Sequence, residues 1–300
     1  MDQRCIVRGQ LIHLLTQMVL TGWAHDTMKL SLNGATTMKA DLATDIRAAA
    51  AAGFDYHEIW AAKLRTFLKH NPVADLKRLF DESGVRPLSI NSIEHVTFRD
   101  AAAYEKIKAE CRELSAIAAA IACPYVVVVP GKLPPEEITA SEIVDESVKI
   151  LRDLCAIAAD HRVSIAFEFL GESDCSVRTL EVATEIVEQA GCDNLGLVID
   201  SFHYYTGGST IEMIEALDPS RLFIFHIDDA ENLPREQLTD AHRLLPGLGI
   251  LPLKEIIGAF RRIGYDANAS VEIFRPEYWE RDPFELAREA RAAVERVMAE

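Results

Sequence analysis

Three hundred residues, 49% of them hydrophobic and 26% charged, suffice for one large buried core and exclude a disordered chain. The formal charge of -16 opposes phosphate backbones, because nucleic-acid binding draws its affinity from Lys and Arg displacing counterions. Cys5, Cys111, Cys123, Cys155, Cys175 and Cys192 are scattered, with no C-x-x-C pair and no histidines at zinc-finger spacing, which reads as the reduced thiols of a cytosolic protein.

Residues 1-27 read as an N-terminal extension. Arg4 and Arg8 precede the apolar run Leu11 to Leu20, but His13 and Gln17 interrupt it and no convincing small-x-small cleavage site follows before Asp26, so it makes a poor match to a signal peptide and is too short for a membrane span. From Met28 onward, β-rich runs at 29-33, 56-60, 87-91, 125-129, 164-169, 195-200, 222-227 and 269-274 alternate with runs of helical period near 41-52, 72-83, 101-121, 141-161, 178-190, 210-217, 252-263 and 283-299. Gly53, Gly84, Gly191 and Gly264 stand just past helix ends, where a left-handed residue is wanted. Eight βα units without polar linkers predict a single (β/α)8 barrel spanning 28-300. Neither G-x-G-x-x-G nor G-x-x-x-x-G-K-[ST] is present, which removes the main support for dinucleotide or nucleoside-triphosphate binding.

A barrel of this kind builds its active site at the carboxyl ends of its strands. Four consecutive strands end in ionisable residues set against large apolar neighbours: Ile165-Ala166-Phe167 leads to Glu168, Leu197-Val198-Ile199 to Asp200, Phe223-Ile224-Phe225 to His226, and Ser270-Val271 to Glu272. Isolated, each charge would cost several kcal/mol or be neutralised. A shared metal answers all four, and three carboxylates with one imidazole suit one divalent ion, Mn2+, Mg2+, Co2+ or Zn2+. Around them His203, Arg243, Arg275, Glu58 and Asn33 are candidate substrate contacts, the arginines by charge-assisted hydrogen bonds.

The segments MKLSLNGATT at 28-37, VSIAFEFLG at 163-171, NLGLVIDSFHYY at 194-205, LFIFHIDDAE at 222-231 and SVEIFRPEYW at 270-279 resemble the xylose-isomerase-like TIM-barrel superfamily of sugar isomerases and epimerases, and within it the inosose (2-keto-myo-inositol) isomerases of inositol catabolism. The resemblance implies one divalent ion on Glu168, Asp200, His226 and Glu272, with Glu168 and Glu272 flanking the substrate as the acid/base pair and His203 and Arg243 as substrate contacts. It implies conversion of 2-keto-myo-inositol to 1-keto-D-chiro-inositol by proton transfer through an enediolate. The same proton abstraction also serves a ketohexose 3-epimerase or a keto-cyclitol dehydratase or lyase. Two departures, Gly34 in place of a larger polar residue and Leu245 in place of an aromatic, are expected at the pocket wall. A small-molecule keto-sugar or keto-cyclitol, in the cytoplasm, is the expected partner, with no nucleic acid and no membrane; homo-oligomers are common in such families.

Two other classes compete. A DNA-repair endonuclease on this barrel needs further histidines, which strand four, ending Val128-Val129-Pro130, does not supply; only His95 speaks for it. A catalytically silent sugar-binding barrel is opposed by the intact Glu168 and Glu272.

Overall fold

The computed structural model describes residues 28-299, so the extension at 1-27 lies outside the described residues. Strands β1 (Lys29–Asn33), β2 (Tyr56–Trp60), β3 (Arg86–Ile93), β4 (Tyr125–Val128), β5 (Ser164–Glu168), β6 (Leu195–Asp200), β7 (Leu222–Ile227) and β10 (Asn268–Val271) close into a barrel in the order β1-β10-β7-β6-β5-β4-β3-β2. Each barrel strand pairs in parallel with its neighbours. A short antiparallel pair, β8 (Asp229–Ala230) with β9 (Arg243–Leu244), lies between β7 and the last barrel strand.

The outer layer contains α1 (Leu42–Ala52), α3 (Val73–Ser83), α4 (Ala101–Ala120), α5 (Ala140–Ala159), α6 (Leu180–Ala190), α9 (Leu253–Ile263) and α11 (Pro283–Ala299), each overlapping an expected helix. Their starts have chemical causes. Asp41, Asp100 and Thr179 accept from backbone amides of their first turns, and Thr139 with Glu142 forms a capping box, which satisfies N–H groups the helix cannot pair itself. The four glycines expected to end helices adopt positive φ, from 64° at Gly191 to 85° at Gly53.

Helices α2 (Ala61–Leu68), α7 (Ser201–Gly207) and α10 (Pro276–Trp279) were not expected. The first two begin directly after Trp60 and Asp200, the last residues of β2 and β6, with no loop to separate strand period from helix period, and α10 is a single short turn that starts after Arg275. At α7 the separator is Asp200 itself, whose carboxylate accepts from His203 N at 2.8 Å and caps the helix. Helix α8 (Ile211–Glu215) is shorter than its expectation.

Side chains alternate across a strand, so the residue two before each strand-end ligand also faces the barrel axis. Ala166, Val198 and Ile224 occupy those places and join Leu88, Val127 and Val129 in a buried cluster separate from the main core. The larger cluster, with Ile165, Phe167, Leu197, Ile199 and Phe225, packs the barrel against its helices. The five described cysteines are free, and no helix among the described residues is long and apolar enough to cross a membrane.

Candidate metal centre

Glu168, Asp200, His226 and Glu272 present one ligand atom each, all within 4.8 Å of one another. All four are buried. His226 lies at the centre: its Nδ1 is 2.9 Å from Glu168 Oε1, 3.2 Å from Glu272 Oε2 and 4.0 Å from Asp200 Oδ2. His95, by contrast, is half exposed and lies 3.9 Å from Glu94.

The opposite ring nitrogen, Nε2, faces Glu58, 3.1 Å from Oε1 and 3.3 Å from Oε2. Glu58 was expected among the substrate contacts. Its carboxylate is fully buried and also accepts from Asn33 Nδ2 (3.2 Å) and Ser89 Oγ (2.6 Å), so its position is behind the histidine. A carboxylate there places the ring proton on Nε2 and leaves the Nδ1 lone pair for a cation.

Electrostatics agree. Burial alone would depress His226, but the carboxylates of Glu272, Glu58 and Glu168 hold it well above an ordinary histidine. Burial would raise Glu58, yet His226 and the hydroxyl donors pull it to about 2. Glu168 is pushed up to about 7, by burial first and then by the Glu272 and Asp200 charges, with His226 opposing. Such a crowd of buried negative groups is under strain without a cation.

Arg243 closes one side. Its Nη1 donates to Asp200 Oδ2 (2.6 Å) and Asp228 Oδ2 (2.9 Å) and lies 3.5 Å from Glu272 Oε2, while Nε donates to Asp240 Oδ1 (3.0 Å). Arg243 holds Asp200 low against its burial; burial and the Asp200 charge push Asp228 well above the carboxylate range. His203 stands beside this group, with Nε2 3.0 Å from Arg243 Nη2 and Nδ1 accepting from Gly171 N at 3.2 Å. Burial, with the Arg243 charge, keeps His203 below an ordinary histidine despite Asp200. Arg243 can only donate, so each nitrogen of the neutral ring faces an N–H, the Gly171 amide at Nδ1 and the Arg243 guanidinium at Nε2, and the ring can accept from just one of them. Arg243 is thus the N–H donor beside the ligands.

Of the other expected contacts, Asn33 is fully buried and its amide protons go to Glu58 Oε1 (3.2 Å) and Glu272 Oε1 (3.0 Å). Arg275 ties loops together through Glu231 Oε1 (2.6 Å) and Glu277 Oε2 (3.3 Å). A side chain at Gly34 would meet Trp60 Cβ at 3.1 Å and Asp45 Oδ2 at 3.3 Å, so that position backs onto the end of β2 and α1. Leu245 packs into the main core. Sequence reasoning missed Asn91, whose Nδ2 donates to Glu272 Oε1 at 2.8 Å; its place at the end of an expected strand was the available signal.

The donor set fits a divalent cation. Three buried carboxylates and an imidazole with a free nitrogen match the oxygen-rich shell of Mn2+, Co2+ or Mg2+ and also suit Zn2+. Comparison with known proteins points the same way. The profile of the family described as Xylose isomerase-like TIM barrel matches residues 46–297. Over 274 residues, 91% of this chain and 97% of the other, the sequence is 38% identical to a protein of Halalkalibacterium halodurans named Inosose isomerase. A namesake from Bacillus velezensis is 37% identical, covering 91% of this chain and 98% of its own. A crystal structure described as the IOLI protein with a binding zinc atom superposes with a TM-score of 0.88 at 36% identity, over 91% of this chain and 98% of that one. A D-psicose 3-epimerase of Enterocloster bolteae matches at 30% identity, over only 43% of this chain and 39% of its own.

Proposed function

The chain belongs to the xylose isomerase-like TIM barrel family, and from that premise we propose that it is a divalent-metal-dependent isomerase that moves a carbonyl between adjacent carbons of a keto-cyclitol, 2-keto-myo-inositol being the substrate. One observation carries the reading: four buried ligand atoms from the ends of four neighbouring strands lie within 4.8 Å, beside the Arg243 guanidinium. The inosose isomerases match along nearly the whole chain and the epimerase along less than half, which ranks epimerisation second. Dehydratase or lyase chemistry ranks below both.

When bound, the cation supplies Lewis acidity that polarises a carbonyl and its neighbouring hydroxyl. The protein does the rest. Glu168, Asp200, His226 and Glu272 hold the cation on stiff strand ends rather than on loops, and Glu58 fixes the His226 tautomer. Arg243 donates to a substrate oxygen and stabilises the charge it gains as the adjacent C–H is broken, with His203 Nε2 3.0 Å from its Nη2. The proton itself moves through a cluster glutamate, Glu168 or Glu272. The reading places this reaction in the cytosol, in keeping with the free cysteines.

The test is incubation of purified protein and Mn2+ or Zn2+ with 2-keto-myo-inositol in D2O, followed by NMR. Isomerised product is expected. Deuterium uptake without it, together with conversion of D-fructose or D-tagatose, would move the protein to the epimerases.

A further inference from the structure

The two cluster glutamates are not equivalent. Glu272 Oε1 accepts from Asn33 Nδ2 at 3.0 Å and from Asn91 Nδ2 at 2.8 Å, which fills both in-plane lone pairs of that oxygen. Its other oxygen, Oε2, faces His226 Nδ1 at 3.2 Å and is the atom left for the cation. The backbone is held as well. Thr36 Oγ1 donates to Val271 O (2.9 Å) and accepts from Ile273 N (3.1 Å), fastening the peptide groups on either side of Glu272. Asn33 is itself locked, because its Oδ1 accepts from Ala35 N at 2.9 Å and its second amide proton goes to Glu58.

Glu168 has no such clamp. Its Oε1 lies 2.9 Å from His226 Nδ1, on the side of the cation, and its Oε2 has no hydrogen-bond partner among the described residues. Resting on the isomerase reading above, we propose that Glu168 alone carries the proton between the two carbons, and that Asn33, Asn91 and Thr36 hold Glu272 as a fixed ligand outside the proton traffic.

The step balances without a further reactant. Glu168 Oε2 takes hydrogen from the carbinol carbon, and the C–H electron pair forms the C=C bond while the carbonyl π pair moves onto oxygen. The remaining hydroxyl proton passes to that oxygen. The same carboxyl then returns its proton to the former carbonyl carbon, and the carbinol oxygen becomes the new carbonyl. One carboxyl on one face of an enediolate serves both carbons, which lie a single bond apart; epimerisation at one carbon needs a second proton carrier on the opposite face. In this chain the second carrier's outer oxygen is occupied.

The experiment uses full-length protein with Mn2+, loading confirmed by calorimetry, and 2-keto-myo-inositol in D2O. Glu168→Gln is expected to lose deuterium wash-in by about 10²–10⁴-fold, the usual contribution of a general base. Glu272→Gln is expected to bind Mn2+ more weakly and, at saturating Mn2+, to lose less wash-in than Glu168→Gln. Asn91→Leu provides the second arm. Its Mn2+ dissociation constant, read without substrate, is expected to rise about tenfold as a ligand-orienting partner is lost, with wash-in at saturation falling by less than about tenfold. Equal loss in E168Q and E272Q when both are loaded, or a tenfold change of wash-in in saturated N91L, overturns the proposal. A parent protein that binds Mn2+ but neither exchanges nor isomerises the keto-cyclitol overturns the underlying reading instead.

Discussion

Replacing Glu58 by Gln changes one buried charge behind the metal ligands and nothing that faces them. Glu58 accepts from three donors, His226 Nε2, Asn33 Nδ2 and Ser89 Oγ, and is fully buried. A glutamine has one acceptor oxygen and an NH2 group, so at least one donor loses its partner, at about 1–3 kcal/mol. The alternative is a tautomer switch in which His226 accepts at Nε2 and carries its proton on Nδ1, where a cation must bind. Either route weakens the metal. Loss of such an orienting partner costs about 10–100-fold in affinity, or about 1.4–2.7 kcal/mol. Titration of metal-free Glu58→Gln with Zn2+ in a calorimeter measures this directly. The metal-free protein gives a second readout. With Glu58 pulled from 4.5 to about 2, the folded state gains about 3 kcal/mol once pH is above 4.5, and loses it as pH falls toward 2. The variant should not show that window. An unchanged Zn2+ dissociation constant and an unchanged acid transition would refute the assignment of Glu58 to His226.

His57 is fully buried on the helix side of β2, with neither ring nitrogen hydrogen-bonded among the described residues, and burial, with Lys63 nearby, lowers it to about 3. The unfolded chain binds this proton below pH 6.5 and the folded chain does not, so stability falls as pH drops; His57→Leu should gain about 2 kcal/mol on the parent between pH 7.5 and pH 5 in urea denaturation. Thr36→Val removes the hydroxyl that holds both peptide groups beside Glu272 and should cost about 1–3 kcal/mol, with Thr36→Ser restoring most of it in thermal melts. Lys63 Nζ is buried against Asp45 Oδ2 at 2.7 Å and also donates to Gly34 O and Thr37 O. Lys63→Met leaves Asp45 uncompensated and should destabilise by about 3–5 kcal/mol at pH 8. Burial pushes Asp45 up to about 7 even with Lys63 present and higher without it, so the penalty should shrink as pH falls toward 7, where the variant's carboxyl protonates before the parent's, and change little below it.

Strand positions were legible because a buried parallel strand is a short apolar run and little else competes for that pattern. β1, β2, β6 and β7 have the expected bounds. The last strand stops at Val271, three residues early, because the Thr36 hydroxyl takes the Val271 carbonyl and the Ile273 amide out of the ladder. The four-residue cluster was legible for a related reason: an ionisable residue at the end of an apolar run stands out against its neighbours. Which polar groups touch the ligands and which face solvent was not. Glu58, Asn33 and Arg275 have the same local look as His203 and Arg243, and only side-chain direction separates them. Asn91 and Thr36 look like ordinary strand-end and loop residues until the barrel closes β1 against β10.

Closure also explains why the site tolerates its charge. Glu58, Glu168, Asp200, Asp228 and Glu272 are buried together, and Arg243 and His226 are the cations among them. Five carboxylates set against one guanidinium and one imidazole leave a deficit that protonation must fill in the metal-free protein, as the upward displacement of Glu168 and Asp228 shows. A divalent cation removes the need for those protons, so metal binding at neutral pH must release them. The number released, measured by calorimetry in buffers of different ionisation enthalpy, therefore counts the carboxyls and the imidazole that were holding the cation's place. Zero release would mean the cluster was already ionised, and the low-dielectric argument for a built metal site would fail with it.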